Sequence, residues 1–411
     1  MATDREPGPA LGIVTALPVE CFAVLQMLDD VVEVEAPDGR DESVYYAGTL
    51  PSLAPGRPHR IVVTVLTEDA GIAAANACTN MERSWGVEVI IMCGIALGVP
   101  APGDPSRHVR LGDILVASEG VVPYGHLRVY ADGEELRRQA SLPSARLKRA
   151  VARLRTEEES GARPWEEFLR GRGPAMRQYR RPDPATDVVY VDEESDEFVP
   201  HPVQPHRRPG QPLVHYGRLG SGGKLIRSGA ERDRLASAYR LIGFDMEGDG
   251  VSETAYLQSV DWWMIRAASD YGVRKNDEWQ RYAAWAAAAY TRALLRRLPA
   301  SNADNYPTRS TPPTAAALPI ARLAPVVTAL LTLPTLTDPR RRQALINDLP
   351  DRLAARIPRA GNAYGDTVAV VRAMSTRPAG LRELGELLVL HEGESDQLRG
   401  VLEILRRAGP G

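Results

Sequence analysis

The chain has 411 residues, of which 44% are hydrophobic and 25% charged. That is enough apolar material for packed cores, so wholesale disorder is excluded, and at roughly 150 residues per domain two or three domains are expected. The net charge of −3 excludes a nucleic-acid binder driven by bulk positive charge.

Residues 11–16 read as a short buried strand, and a helical pattern follows from Val19 to Leu28 with Pro18 near its first turn. Residues 43–49 and 60–66 are rich in strand formers, and the small residues at 70–77 open a closely packing helix. Val87 to Cys93 reads as a strand ending at Gly94, and Ile114 to Ala117 as another. This alternation predicts a largely parallel, three-layer α/β architecture. Residues 121–210 break the rhythm and read as an insertion or lid with a helix near 144–157 and some mobile loop. The core pattern resumes at Leu213–Leu219, with a helix over 230–240 capped by Ser228 and another over Glu247–Gln258. A strand over Trp262–Ala267 and a long Ala-rich helix over Asp277–Leu298 complete a first domain at 11–298. Residues 299–319 form a polar, Pro-rich linker. Beyond it, 320–411 is all-α, with amphipathic stretches at 320–332, 338–348, 364–376, 379–390 and 396–407 and helix starts at Asp338-Pro339 and Ser395.

Cys21, Cys78 and Cys93 are too few and too scattered for a disulfide framework or a zinc site, and read as buried reduced thiols of a cytoplasmic protein. No apolar run reaches the roughly 18 residues that signal a membrane span. The N-terminus lacks the basic and apolar regions of a signal peptide. Of the 50 basic residues only Lys148, Lys224 and Lys275 are lysines. With the abundant Ala, Gly and Pro this reflects a GC-rich coding bias, which weakens any Arg-Arg pair as a sign of phosphate binding.

Three segments bring acids to strand ends, where open α/β sheets bind ligands. They are Gly12 to Glu20, Phe244-Asp245-Met246-Glu247-Gly248, and Arg266 to Tyr271 with its Ser269-Asp270 pair. Each has a plain structural alternative. Asp270 suits a helix cap, Glu20 and Glu247 suit first helical turns where acids complement the dipole, and Met246 suits core packing. Gly94, Gly98 and Gly112 are turn residues under any reading.

Together with Cys93-Gly94-Ile95-Ala96-Leu97-Gly98-Val99 and Leu111-Gly112-Asp113-Ile114, these segments resemble the purine nucleoside phosphorylase/nucleosidase superfamily, in particular its methylthioadenosine/S-adenosylhomocysteine nucleosidase branch. The resemblance spans residues 11–120 and 212–298 and implies a central mixed sheet. The segment Lys275-Asn276-Asp277-Glu278-Trp279 with Tyr282-Ala283-Ala284 resembles multidomain proteins of bacterial conflict systems, and 320–411 resembles their effector-associated adaptor domains. Two positions depart from the nucleosidase pattern, Leu97-Gly98 in place of a Gly-Gly pair and Leu225 in place of a base-stacking aromatic.

The resemblance implies cleavage of a purine N-glycosidic bond without cofactor or metal. Such cleavage passes through an oxocarbenium-like transition state, and a carboxylic acid must protonate the departing purine. By resemblance Asp270 does so at purine N7, oriented by Ser269. Glu247 binds the ribose hydroxyls beside Asp245, Met246 packs on the sugar face, and Glu20 activates water. The backbone of Gly94, Ile95 and Ala96, with Leu225, contacts base or ribose. Arg207 and Arg208, after His206, are candidates for a nucleotide phosphate clamp, and His126 and His215 for structural roles near the pocket. An acid in the first strand–helix turn repels phosphate, so hydrolysis is favoured over phosphorolysis. A phosphorylase and a non-catalytic nucleotide-sensing module remain the alternatives. The expected partners are a purine nucleoside or nucleotide and a protein bound through 320–411, with neither nucleic acid nor membrane, and a homodimer is expected.

Overall fold

The computed structural model describes residues 11–37, 39, 41–68, 71–130, 133–136, 140–170, 174–300, 320–349, 363–375, 380–393 and 395–408. They divide into two units, Met1–Ser301 and Asn302–Gly411. Most of the linker expected at 299–319 lies outside the described residues.

The first unit is built on a nine-stranded sheet. Its strands are β1 (Leu11–Thr15), β2 (Asp29–Val34), β3 (Tyr45–Leu50), β4 (His59–Val65), β5 (Val89–Gly98) and β6 (Ile114–Pro123), then, after two small hairpins, β11 (Val214–Ser221), β12 (Leu241–Asp245) and β13 (Asp261–Asp270). The hairpins are β7 (Leu127–Tyr130) with β8 (Gly133–Leu136), and β9 (Val189–Tyr190) with β10 (Phe198–Val199). The order is β12-β11-β6-β13-β5-β1-β4-β3-β2. β1 runs parallel to β4 and β5, and β13 parallel to β5, whereas β13 is antiparallel to β6 and β2-β3-β4 is an antiparallel meander. The sheet is therefore mixed. The end of β5 also pairs antiparallel with β12, Gly243 opposite Gly98 and Phe244 opposite Leu97. Five strands thus close on themselves and gather the ends of β5, β12 and β13.

Alternation along the buried strands sends side chains to two cores. Ile13, Ile91 and Ile265 face helices α1 (Pro18–Leu25), α3 (Ala145–Glu159), α4 (Trp165–Leu169) and α7 (Gln280–Leu295). Val14, Ile90 and Met264 face α2 (Gly71–Trp85) and α6 (Gly248–Gln258). Helix α5 (Gly229–Tyr239) is capped by the Ser228 hydroxyl, which accepts from the Glu231 N–H. Alanines make α7 slim enough to lie against the sheet with 13 of its 16 residues buried.

Several elements depart from the expected bounds. β5 and β6 run past Gly94 and Ala117, because their ends find partners in β12 and β11. β2, unmarked in the sequence, is an edge strand with most residues exposed, so it lacks the alternation that marks a half-buried strand. The insertion carries the expected helix as α3, and parts of it are anchored to the first unit. Trp165 packs on Tyr290 of α7 at 5.3 Å, and buried Asp187 accepts hydrogen bonds from Arg110 and Tyr271.

In the second unit, α8 (Ile320–Leu330), α9 (Pro334–Thr337), α10 (Pro339–Asn347), α11 (Ala363–Ser375), α12 (Gly380–Glu392) and α13 (Asp396–Ala408) enclose their own core of Val, Leu, Ile and Met side chains. Asp338 caps α10, and a buried Arg342–Asp366 ion pair at 3.0 Å ties α10 to α11.

Candidate active site

Glu20 sits in the first turn of α1, directly after β1. Its Oε2 accepts from the N–H groups of Ala16 (2.7 Å) and Leu17 (2.9 Å), and its Oε1 from the Ile95 N–H (2.7 Å). One carboxylate thereby stitches the β1–α1 turn to β5. Burial pushes its pKa up, offset in part by the Arg266 guanidinium 3.9 Å away and by the three N–H donors. The close approach explains Gly94, where a Cβ would lie 2.3 Å from Glu20 Oε1 and 2.6 Å from Arg266 Nη1.

Arg266 is wholly buried in the middle of β13. Its Nη2 donates to Asp245 Oδ2 (2.5 Å) and Glu247 Oε2 (3.0 Å), and its Nε also donates to Asp245 Oδ2. Burial alone would lower its pKa, but Asp245, Glu247 and Glu20 raise it, so the cation is secure. Asp245 ends β12 and Glu247 stands at the start of α6 without capping it by its side chain. Arg266 holds both acids in place. An Arg inside an otherwise apolar strand is the sequence signal for this role, and the abundance of arginine in the chain masks it.

β13 ends at Ser269 and Asp270. Ser269 Oγ lies 3.0 Å from Asp270 Oδ2 and 3.3 Å from the Ala96 carbonyl oxygen, and the Gly272 N–H donates to Asp270 Oδ1 at 2.9 Å. Asp270 therefore shapes a turn and caps no helix, since α7 begins only at Gln280. Lys275 Nζ stands 3.6 Å from Asp270 Oδ2, a proximity with no local mark in the sequence.

The carboxylates among these groups line one cavity of about 320 Å³, with Arg266 buried behind them. Glu20, Ile95, Ala96, Leu225, Asp245, Met246, Glu247, Ser269 and Asp270 all face it, joined by Tyr124, Phe244, Lys224 and Lys275. Three of the expected residues do not line it. Gly94 serves the approach of Glu20 to Arg266. Arg207 is spent on buried Asp113, with Nη1 at 2.9 Å from Oδ1 and Nη2 at 2.6 Å from Oδ2. Arg208 donates to Glu166 and to the Gly161 carbonyl. The phosphate clamp expected of this pair is thus not formed at the cavity. His215 also bonds Asp113, and exposed His126 lies outside the cavity lining. The three cysteines are buried and unpaired. Among the described residues, no group of three or more His, Cys, Asp or Glu is placed to hold a metal ion, and no helix is long and apolar enough to cross a membrane.

Comparison with known proteins assigns the two units to different relatives. Residues 327–406 match the family described as Effector-associated domain 2. A nucleotide-binding leucine-rich repeat (NLR)-like protein of Hyaloscypha variabilis is 29% identical over 300 residues, which cover 70% of this chain and 29% of that protein. The chain therefore spans less than a third of that relative's length. A 5'-methylthioadenosine/S-adenosylhomocysteine nucleosidase of Mycobacterium bovis is 25% identical over 301 residues, covering 70% of this chain and 96% of the relative. Among solved structures, the nucleosidase of S. pneumoniae with a transition-state inhibitor superposes with a TM-score of 0.48 at 17% identity, covering 70% of this chain and 99% of the other. The futalosine hydrolase of Helicobacter pylori gives 0.47 at 15% identity, covering 70% and 97%. The chain thus joins a unit with a mixed sheet between helices, similar in sequence to a nucleosidase, to an all-α unit whose residues 327–406 match Effector-associated domain 2.

Proposed function

We propose that the first unit hydrolyses the N-glycosidic bond of a purine nucleoside or nucleotide. The observation that carries this reading is the meeting of Glu20, Glu247 and Asp270 around one cavity, from three strand ends distant in sequence. Asp270 delivers a proton to the leaving purine at N7, and Ser269 and the Gly272 N–H set its orientation. Glu247, held by Arg266, accepts hydrogen bonds from the ribose hydroxyls, which strengthen as positive charge develops on the sugar. Met246 packs on the sugar face. Glu20 takes the proton of the water that adds to the anomeric carbon, and its raised pKa makes it a stronger base than an exposed glutamate. The products are the free purine and the ribosyl hydroxyl compound.

The second unit is an adaptor that recruits a protein carrying a related helical domain, and the chain acts as an effector of a bacterial defence system in the cytoplasm. The effector-associated match and the NLR-like relative support this reading. The test is incubation of the full chain with adenosine, methylthioadenosine, AMP and ATP, with and without inorganic phosphate, followed by mass spectrometry. Free purine independent of phosphate is expected. A ribose 1-phosphate product would make the protein a phosphorylase, and no free purine from any substrate would make it a binding module.

A further inference from the structure

Tyr271 follows Asp270 and is buried, but it does not line the cavity. It packs instead among Leu111, Val189, Trp279 and Tyr282. A buried phenol needs a polar partner, and this one is supplied by the insertion. The Tyr271 hydroxyl donates to Asp187 Oδ1 at 2.7 Å, across 84 positions of chain, and accepts from the Leu111 N–H at 3.1 Å. The Asp187 side chain has no exposed surface, and its Oδ2 accepts from Arg110 Nε at 2.8 Å. Two histidines continue the network. The Ala101 N–H donates to His108 Nδ1 at 3.0 Å, so the proton of His108 sits on Nε2 and points at His201 Nδ1, 2.8 Å away. His201 must then carry its proton on Nε2, which faces the Asp187 carbonyl oxygen at 2.7 Å and Oδ1 at 3.3 Å. Asp187 is thus fixed from several sides, and Tyr271 is fixed through it.

The grip falls on the turn that carries the candidate acid. The Tyr271 carbonyl oxygen accepts from buried Arg232 at 2.8 Å. Gly272 has φ +79°, and a Cβ there would lie 2.6 Å from Leu97 Cδ1 and 2.8 Å from the Ile226 carbonyl oxygen. Its N–H is the donor to Asp270 Oδ1. Past the turn, Arg274 donates to Asp196 at 2.8 Å and lies 4.6 Å from the centre of the Tyr190 ring. Tyr190 and Asp196 belong to the β9–β10 hairpin, which Asp187 and His201 flank. The insertion therefore holds the segment after Asp270 at both ends. A proton donor must meet its acceptor along a defined line, and a misplacement of about 1 Å can cost about 10²-fold in rate. We propose that Asp187 is a positioning residue for Asp270, acting through the Tyr271 hydroxyl, and that the insertion thereby sets the aim of the acid at the leaving purine. The inference rests on the hydrolytic reading of the site.

The experiment measures adenine released from adenosine and ATP by the full chain, for the wild type, Tyr271→Phe and Asp187→Ala. Tyr271→Phe removes one hydroxyl and leaves Asp187 its other donors, so it decides the matter if Asp187→Ala fails to fold. Each folded variant is expected to lose kcat by roughly 10- to 100-fold with KM unchanged. The same changes are then made in the Asp270→Asn background. There they should cost nothing further, because their effect passes through the acid already removed. A Tyr271→Phe chain with wild-type kcat would overturn the proposal. So would a loss that multiplies in full with that of Asp270→Asn, which would mark a general packing role. Hydrogen exchange across the Asp270–Gly272 turn gives a readout independent of turnover. Faster exchange there in Tyr271→Phe, with the interior of β5 unchanged, supports the proposal, and unchanged exchange at the turn overturns it. If the wild type releases no adenine from either substrate, the hydrolytic reading fails, and the exchange still decides whether Asp187 holds the turn.

Discussion

Replacing Asp270 by Asn keeps the side chain's shape and its place beside Ser269 and Gly272, but removes the proton it would deliver. Loss of a general acid of this kind lowers turnover by about 10²-fold or more. Asp270→Asn is therefore expected to fold normally and to lose kcat by that order, and near-normal turnover would reject the assignment. Glu20 makes a different prediction. It acts only when ionised, and burial raises its pKa despite Arg266 and three N–H donors. The acidic limb of the kcat/KM profile is thus expected above the ordinary glutamate range, with activity rising as pH increases through it. Glu20→Gln should abolish hydrolysis and leave no such limb. A variant that hydrolyses at the wild-type rate would show that water is activated elsewhere.

Between elements, the same rule of paired buried charge operates away from the cavity. Asp113, ahead of β6, is wholly buried and accepts from Arg207, from His215 and from the N–H groups of Arg110 and Leu213. Burial would push its pKa up, but the hydrogen bonds and charges of His215 and Arg207 outweigh it and hold the carboxyl well below the usual range. Its contribution to stability is present at neutral pH and is lost as pH falls through the depressed value. Arg207 thus fastens the end of the insertion to the start of β6. Removing one partner of a buried pair costs about 3–5 kcal/mol. Arg207→Ala is expected to lower the thermal midpoint accordingly, without shifting preference between nucleoside and nucleotide. A selective loss of nucleotide cleavage with unchanged stability would return Arg207 to phosphate binding.

At the scale of the whole molecule, each unit buries its own apolar side chains, the first around the sheet and the second among its helices. The candidate catalytic residues lie entirely in the first. A chain cut near Ala315 is expected to stay folded and to turn over small substrates at close to the full-length rate. It should lose association with any partner carrying a related helical domain, because the tether that raises local concentration is gone. An insoluble or inactive fragment would mean that the helices complete the catalytic unit. Activity, thermal melting and pull-down of the two forms side by side decide it.

Much of this was legible in the sequence, for a physical reason. Buried strands and helices carry their periodicity locally, so the alternation of β1, β4, β5 and β13 with α1, α2 and α7 could be read, as could the Ser228 cap. Glu20, Glu247 and Asp270 could be singled out because each stands beside a strand end, where polar side chains meet ligand. Other features depend on distant partners and left no local mark. Edge strand β2 lacks alternation, and the end of β5 is held by β12 across the sheet. Arg207 and Arg208 stand as a candidate pair in the sequence, whereas in the fold Asp113 and Glu166 hold them. Arg266 became the hinge of three carboxylates, and Lys224 and Lys275 came to share a cavity, only through closure of the sheet. Sequence by itself determined which residue types stand at which strand ends. Tertiary structure alone decided which charges meet, because a charge pairs through space and its partner's position along the chain carries no information about that distance.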